Sequence, residues 1–221
     1  MQALFPRVIM FDLDGTLVDT MPAFADLAAE VMERRHGLDR CWARARYLET
    51  SGIPFCKQLE VICPGHPDNR PASDEFEARK RAVCNRVSMD AGTVAALEDL
   101  RAMGIRLVVS SNTGQAFVDE FAAREAFRFD LALGFDPARG LAKGRPHVER
   151  ATSELGVCNG DLLFVGDSLA DAELADKSGV AFVGRLGTFQ AEDFRRRDPR
   201  ARTIGHVREL PGLLAAYRDA A

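Results

Sequence analysis

Short runs of apolar, often β-branched residues recur along the chain, each ending in polar or turn-forming residues. They lie at Arg7–Asp12, Ile105–Ser110, Leu131–Phe135, Leu162–Gly166 and Val180–Gly184. Most are continuously apolar rather than alternating, which is the pattern of strands buried on both faces of a parallel sheet. Helical periodicity fills the gaps. Thr93–Met103 sets Val94, Leu97, Leu100 and Met103 on one stripe and stops at Gly104, while Pro146–Leu155 stops at Gly156 and Asp171–Ser178 at Gly179. A glycine just past the last periodic residue is a common helix terminator. Strand and helix in alternation predict an α/β fold, a Rossmann-like doubly wound parallel sheet.

The spacing of the strands adds a second unit. A strand–helix–strand crossover takes about thirty residues, and the later strands keep roughly to it. The first two do not, since about a hundred residues separate Val8 from Ile105. The surplus reads as helical. Pro22–Arg35 carries Phe24, Leu27, Ala28, Val31 and Met32 on one face with proline at its start, and Cys41–Leu48, Pro54–Ile62 and Asp74–Val87 follow around a turn-rich stretch, Pro64–Pro71. The expected organisation is a helical domain at 18–86 inserted into a core domain formed by 1–17 and 87–221.

Composition narrows the class without naming it. Apolar residues make up 47% and charged residues 28%, and the net charge is −4 with no long basic run. That is a globular chain with no electrostatic grip on nucleic acid or anionic membrane. No apolar stretch reaches the length of a signal peptide or a membrane span. Five cysteines in a chain large enough to need no staples read as reduced core thiols, so the expected compartment is cytoplasmic. Cys63 and His66 lack a second pair of zinc ligands. Trp42, Phe55 and the Phe127–Phe129 cluster read as packing. His36, His66, His147 and His206 read as surface residues, and Arg195–Arg197 as a solvated helix end or loop. The cations are lopsided, with four lysines (Lys57, Lys80, Lys143 and Lys177) against twenty-five arginines.

The chemistry gathers at strand ends. The first strand runs into Asp12-Leu13-Asp14-Gly15-Thr16, and side chains two apart in an extended chain share a side. Two carboxylates about 6–7 Å apart repel by roughly 2–3 kcal/mol at an effective dielectric near 20. A fold accepts that if a cation lies between them or one keeps its proton. The fourth strand ends in Gly166-Asp167-Ser168-Leu169-Ala170-Asp171. If the two strands are neighbours, Asp12, Asp14 and Asp167 meet at one sheet edge, a hard-oxygen set suited to Mg²⁺. The second strand closes in Ser110-Ser111-Asn112-Thr113-Gly114, offering hydroxyls and backbone N–H groups to a phosphate oxygen.

This set resembles the haloacid dehalogenase superfamily of aspartate-dependent phosphohydrolases, in its phosphoglycolate phosphatase-like branch with a helical cap. The DxDGT motif stands as Asp12–Thr16, the Ser/Thr strand end as Ser111-Asn112, the lysine motif as Lys143-Gly144-Arg145-Pro146, and GDSxxD as Gly166–Asp171. The lysine motif departs from the commoner Lys-Pro-x-Pro. The resemblance implies a Mg²⁺-dependent phosphatase acting through a phosphoaspartate. In that reading Asp12 is the nucleophile and Asp14 the acid and base. Mg²⁺ sits on the Asp12 carboxylate, the Asp14 backbone carbonyl and Asp167. Thr16, Ser111, Asn112 and Lys143 serve the phosphoryl group, Thr16 also fixing the turn near Asp12, while Ser168 and Asp171 stand behind the metal or Lys143. Arg44, Arg46, Thr50, Ser51 and Lys57 become candidates for selecting substrate. The expected partner is a small phosphorylated metabolite, with neither nucleic acid nor membrane, and the expected assembly a monomer or weak homodimer.

Other classes share fragments of this pattern. A phosphomutase or other phosphotransferase would use the same core, although Phe55 stands where mutases of this superfamily carry a cation. A receiver-like or phosphate-binding module without turnover would share the acidic edge but has no use for seventy inserted residues. Gly166–Leu169 spells the block of GDSL esterases, but it comes late, and Thr203 rather than an aspartate stands three residues before His206. A true dehalogenase needs neither Asp14 nor Asp167.

Overall fold

The computed structural model describes residues 5–218, which divide into two compact units, Asp19–Val87 and the remainder. In chain order the elements begin with β1 (Val8–Phe11). The helical unit follows, with α1 (Met21–His36), α2 (Arg40–Glu49), α3 (Phe55–Ile62) and α4 (Asn69–Cys84). The chain then returns through α5 (Ala91–Ala102), β2 (Arg106–Gly114), α6 (Gln115–Arg124), β3 (Leu131–Phe135) and α7 (Arg145–Leu155). It closes with β4 (Leu162–Gly166), α8 (Leu169–Lys177), β5 (Ala181–Arg185), α9 (Ala191–Arg197), β6 (Arg202–Ile204) and α10 (Leu210–Arg218). No helix among these residues is long and apolar enough to cross a membrane.

The six strands form one parallel sheet in the order β3-β2-β1-β4-β5-β6. Strand alternation divides its two faces. Ile9, Phe11, Leu107 and Val109 pack with Leu97 and Leu100 of α5, Phe121 of α6, and Leu210 and Leu214 of α10. Val8, Met10, Val108 and Phe164 pack with Val148 and Ala151 of α7 and Ala175 of α8. Burial on both faces explains why these strands read as unbroken apolar runs. From β1 the chain winds outward through β2 and β3, and from β4 outward the other way. The switch point therefore lies between β1 and β4, which pair in register from Val8↔Leu162 to Phe11↔Val165.

The helical unit has its own core. Phe76 packs against Phe55 at 4.3 Å, Tyr47 at 5.7 Å and Phe24 at 6.3 Å between ring centroids. On its outside Glu75 draws Arg34, Arg35 and Arg79 together.

Several sequence expectations need correction. The sheet has a sixth strand, β6, whose three residues are too few to show a period. Helix α4 starts at Asn69, inside the stretch read as turns, because Pro71 falls in its first turn, where backbone N–H groups have no intrahelical partner anyway. Helix α5 packs the expected stripe, Val94, Leu97, Leu100 and Met103, against the core and buries Thr93 and Ala96 beside it. Trp42 is 45% exposed, with Arg46 over its ring. Only Cys84 of the five cysteines is buried. His147 is fully buried.

Candidate active site

Each side of the switch point delivers an acidic residue from a buried strand. Asp12 follows β1, its N–H donating to the Val165 carbonyl at 2.9 Å, and Asp167 follows β4. Leu13, Leu17 and Val18 bury themselves in the core while the intervening backbone closes on itself, Gly15 N–H to the Val18 carbonyl and Leu17 N–H to that of Leu13. That tight turn leaves Asp14 half-buried, its carboxylate accepting from the Thr113 hydroxyl at 2.9 Å.

Asp171 owes its position to the start of α8. Ser168 caps the helix by accepting the Asp171 N–H at 3.1 Å, and one Asp171 oxygen accepts in return from the Ser168 hydroxyl at 2.7 Å and its N–H at 3.2 Å. Gly166 is required here, because a Cβ at that position would fall 2.6 Å from the same Asp171 oxygen. The other Asp171 oxygen is left for Lys143, whose Nζ lies 2.6 Å from it and 2.7 Å from Asp12 Oδ1. The Lys143 side chain is 2% exposed, and its ammonium also lies over the Phe164 ring at 5.6 Å. It reaches this spot from a turn before α7, whose Gly144 adopts φ +116°, a conformation other residues rarely take, close against Leu174. The departure from Lys-Pro-x-Pro is thus a defined glycine turn.

The electrostatics follow from burial. Carboxylate oxygens of Asp12, Asp167 and Asp171 lie within 4.8 Å of one another, and all three residues are buried. Burial, then the charges of Asp171 and Asp14, push Asp12 up to about 7 although Lys143 opposes the shift. Asp167 is pushed well above the usual carboxylate range by burial and by Asp12 and Asp171. Burial alone would lower Lys143, but Asp12 and Asp171 outweigh it and hold its ammonium above the ordinary lysine value. Lys143 among three buried carboxylates, with Arg185 acting on Asp167, leaves a deficit of positive charge. Hard oxygens at this spacing are compatible with a divalent metal.

The structure places the other expected residues as follows. Ser111 is buried, its hydroxyl oxygen accepting from the Thr113 N–H at 3.0 Å. Asn112 is half-buried on β2. The Thr16 hydroxyl is buried without a hydrogen-bond partner. Lys177 is exposed and pairs with Glu173, one turn earlier on α8. In the helical unit Arg44 pairs with Asp26 and Arg46 with Glu49, Thr50 bonds Gln58, and the buried Ser51 hydroxyl has no partner.

Two residues beside the site, Thr113 and His147, have contacts that the sequence did not specify. Thr113, part of the polar end of β2, carries the parity of Ser111 and gives its hydroxyl to Asp14 rather than standing free for a phosphate. His147 occupies the inward stripe of α7 with Val148 and Ala151, an i, i+4 signal that was present in the sequence. Its Nδ1 lies 2.9 Å from the Ser110 hydroxyl and its Nε2 3.0 Å from the Gly134 carbonyl. A carbonyl only accepts, so Nε2 carries the hydrogen and Nδ1 accepts from Ser110.

Burial pulls His147 down to about 4, with the Lys143 charge adding to it. The unfolded chain therefore binds a proton that the native chain refuses between pH 6.5 and 4. The associated stability is complete above 6.5 and is lost as pH falls, by about 2–3 kcal/mol between pH 7 and 4.5. Urea unfolding of wild type and His147→Gln at those two pH values is expected to show the gap between them narrowing by that amount. A constant gap would mean that the ring takes up its proton as readily in the native protein as in the unfolded chain.

Residues 9–185 match the family model of haloacid dehalogenase-like hydrolases. The chain is 25% identical to the phosphoglycolate phosphatase of Rhodobacter capsulatus, over 95% of this chain and 97% of that protein. It is 26% identical to the N-acetylmuramic acid 6-phosphate phosphatase of Pseudomonas aeruginosa, over 94% of each. Among solved structures, a haloacid dehalogenase-like hydrolase from Streptococcus pneumoniae superposes with a TM-score of 0.76 at 18% identity, covering 96% of this chain and 98% of that one.

Proposed function

Since the chain belongs to the haloacid dehalogenase-like hydrolase family, and within it is an enzyme of the phosphatase kind, we propose that it hydrolyses a small phosphomonoester with Mg²⁺ and with Asp12 as nucleophile. The observation that carries this reading is the buried chain of ion pairs from Asp12 through Lys143 to Asp171 at the carboxyl edge of β1 and β4.

Asp12 attacks phosphorus, an acyl phosphate forms, and the bond to the leaving oxygen breaks as Asp14 protonates that oxygen. Asp14, now ionised, takes a proton from water, which attacks the same phosphorus and returns Asp12 as a carboxylate with inorganic phosphate released. Thr113, donating to Asp14, fixes the direction from which that proton is exchanged. Lys143 neutralises the phosphoryl oxygens, and the Ser111 and Asn112 segment and the unpartnered Thr16 hydroxyl supply donors. Mg²⁺ held by Asp12, Asp167 and the Asp14 carbonyl would supply the missing positive charge and so favour ionised Asp12. Asp171 serves Lys143 first, since its oxygens are already taken by Lys143 and Ser168.

A small ester is supported by the relatives, whose names specify phosphoglycolate and a phosphorylated amino sugar acid. The test is phosphate release from a panel of phosphorylated metabolites, with Mg²⁺, Ca²⁺ or excess EDTA. We expect turnover of small phosphomonoesters with Mg²⁺, little with Ca²⁺ because its larger and looser shell misplaces the nucleophile, and none with EDTA. Full activity in EDTA would remove the metal from the account.

A further inference from the structure

His147 takes no part in the proposed chemistry, yet it is a fully buried polar ring in an otherwise apolar layer. Burying an imidazole is unfavourable unless both nitrogens are satisfied, and a leucine would fill similar space without that demand. Both nitrogens are satisfied, by groups on different strands: the Ser110 hydroxyl of β2 and the Gly134 carbonyl of β3. The ring itself stands on the first turn of α7, at its third residue.

That turn needs a tie. The N-cap of α7 is Gly144, which has no side chain with which to cap the helix. Arg145 is spent on an exposed pair with Glu149. The remaining inward residues, Val148 and Ala151, make apolar contacts, which have no preferred direction and resist sliding weakly. Lys143 hangs between this helix start and a two-bond bridge joining Asp136 to Leu141. Only two residues, Ala142 and Gly144, flank it before those anchors. Any shift of the first turn of α7 along the sheet passes directly to the Lys143 backbone, and the ammonium must hold two contacts shorter than 3 Å.

We propose that His147 is a positioning residue for phosphoryl transfer, its two ring nitrogens pinning the first turn of α7 to β2 and β3 and so setting where Lys143 meets Asp12. This rests on the reading of Lys143 as the cation that meets the phosphoryl group.

A double-mutant cycle tests it. With p-nitrophenyl phosphate, His147→Leu is expected to lower kcat by at least about tenfold with a smaller change in KM, whereas in a Lys143→Ala background the same substitution changes kcat by less than about twofold. His147→Asn, which keeps an acceptor for Ser110, should recover part of the loss. Equal losses in both backgrounds, or a lower Tm with kcat intact, would overturn the proposal by reducing His147 to a packing residue. If His147→Leu does not fold, Ser110→Ala takes its place in the cycle, with the same two outcomes. Should the wild type turn over no phosphomonoester, the proposed activity fails, and the cycle is read instead on affinity for inorganic phosphate by calorimetry. Coupling of the two substitutions there supports the pin, and additivity refutes it.

Discussion

Asp12→Asn is expected to release phosphate at least about a thousandfold more slowly than wild type, a loss of roughly 4 kcal/mol of transition-state stabilisation. The substitution preserves shape, and the neighbouring Asp167 and Asp171 remain in place. What it removes is an oxygen able to form a bond to phosphorus. Burial and neighbouring charges push Asp12 up to about 7, so a neutral amide of the same shape fits this position at the cost of one ion pair to Lys143. Lys143 keeps Asp171 at 2.6 Å as a partner. Kinetics on protein shown to be folded by circular dichroism will check this. Retention of more than about a tenth of the wild-type kcat would sink the assignment of Asp12 as nucleophile.

Lys143→Ala carries the second large effect, at least about a hundredfold in kcat/KM, or roughly 2.7 kcal/mol. The substitution removes the one ammonium among the buried carboxylates Asp12, Asp167 and Asp171, leaving Arg185, which acts on Asp167, as the remaining compensating charge. Lys143→Arg should recover little. The space is bounded by Asp12, Asp171 and the Phe164 ring, and a planar guanidinium cannot replace a compact ammonium meeting two carboxylates on different elements. Lys177→Ala provides the contrast and should cost less than about threefold, since Lys177 is 72% exposed and paired with Glu173. Steady-state kinetics on the three variants decide the matter. A larger loss for Lys177→Ala than for Lys143→Ala would place the phosphoryl-binding cation elsewhere.

The parts of the molecule that were legible in the sequence share a cause. β1, β2 and β4 are central, buried on both faces, and so announce themselves as apolar runs whose polar ends mark the sheet edge. Asp12 and Asp167 could be found because each follows such a run, and Lys143 because it stands just before a helix in a chain whose other cations are nearly all arginine. What could not be read lacks that enforcement. β6 is an edge strand of three residues held by one neighbour, and its sequence carries no period. Trp42 looks like core by type, but burial depends on which face of α2 meets its unit, a tertiary fact. His147 looks like surface by type, and only the positions of Ser110 and Gly134 make its burial tolerable. Polar residues satisfied by groups distant in the chain are the hardest to place from sequence, because their partners are set by the fold itself.

The central claim is that the phosphoryl group passes through Asp12, and the most direct measurement is capture of that intermediate. With p-nitrophenyl phosphate the leaving group needs little help from an acid, so Asp14→Asn should still be phosphorylated but should stall without a base for water. Rapid acid quench of Asp14→Asn with ³²P-labelled substrate and Mg²⁺, followed by peptide mapping, is predicted to find label on the peptide containing Asp12, and to find none when Asp12→Asn is added. Label on another residue, or a burst of free phosphate with no labelled protein, would contradict the account.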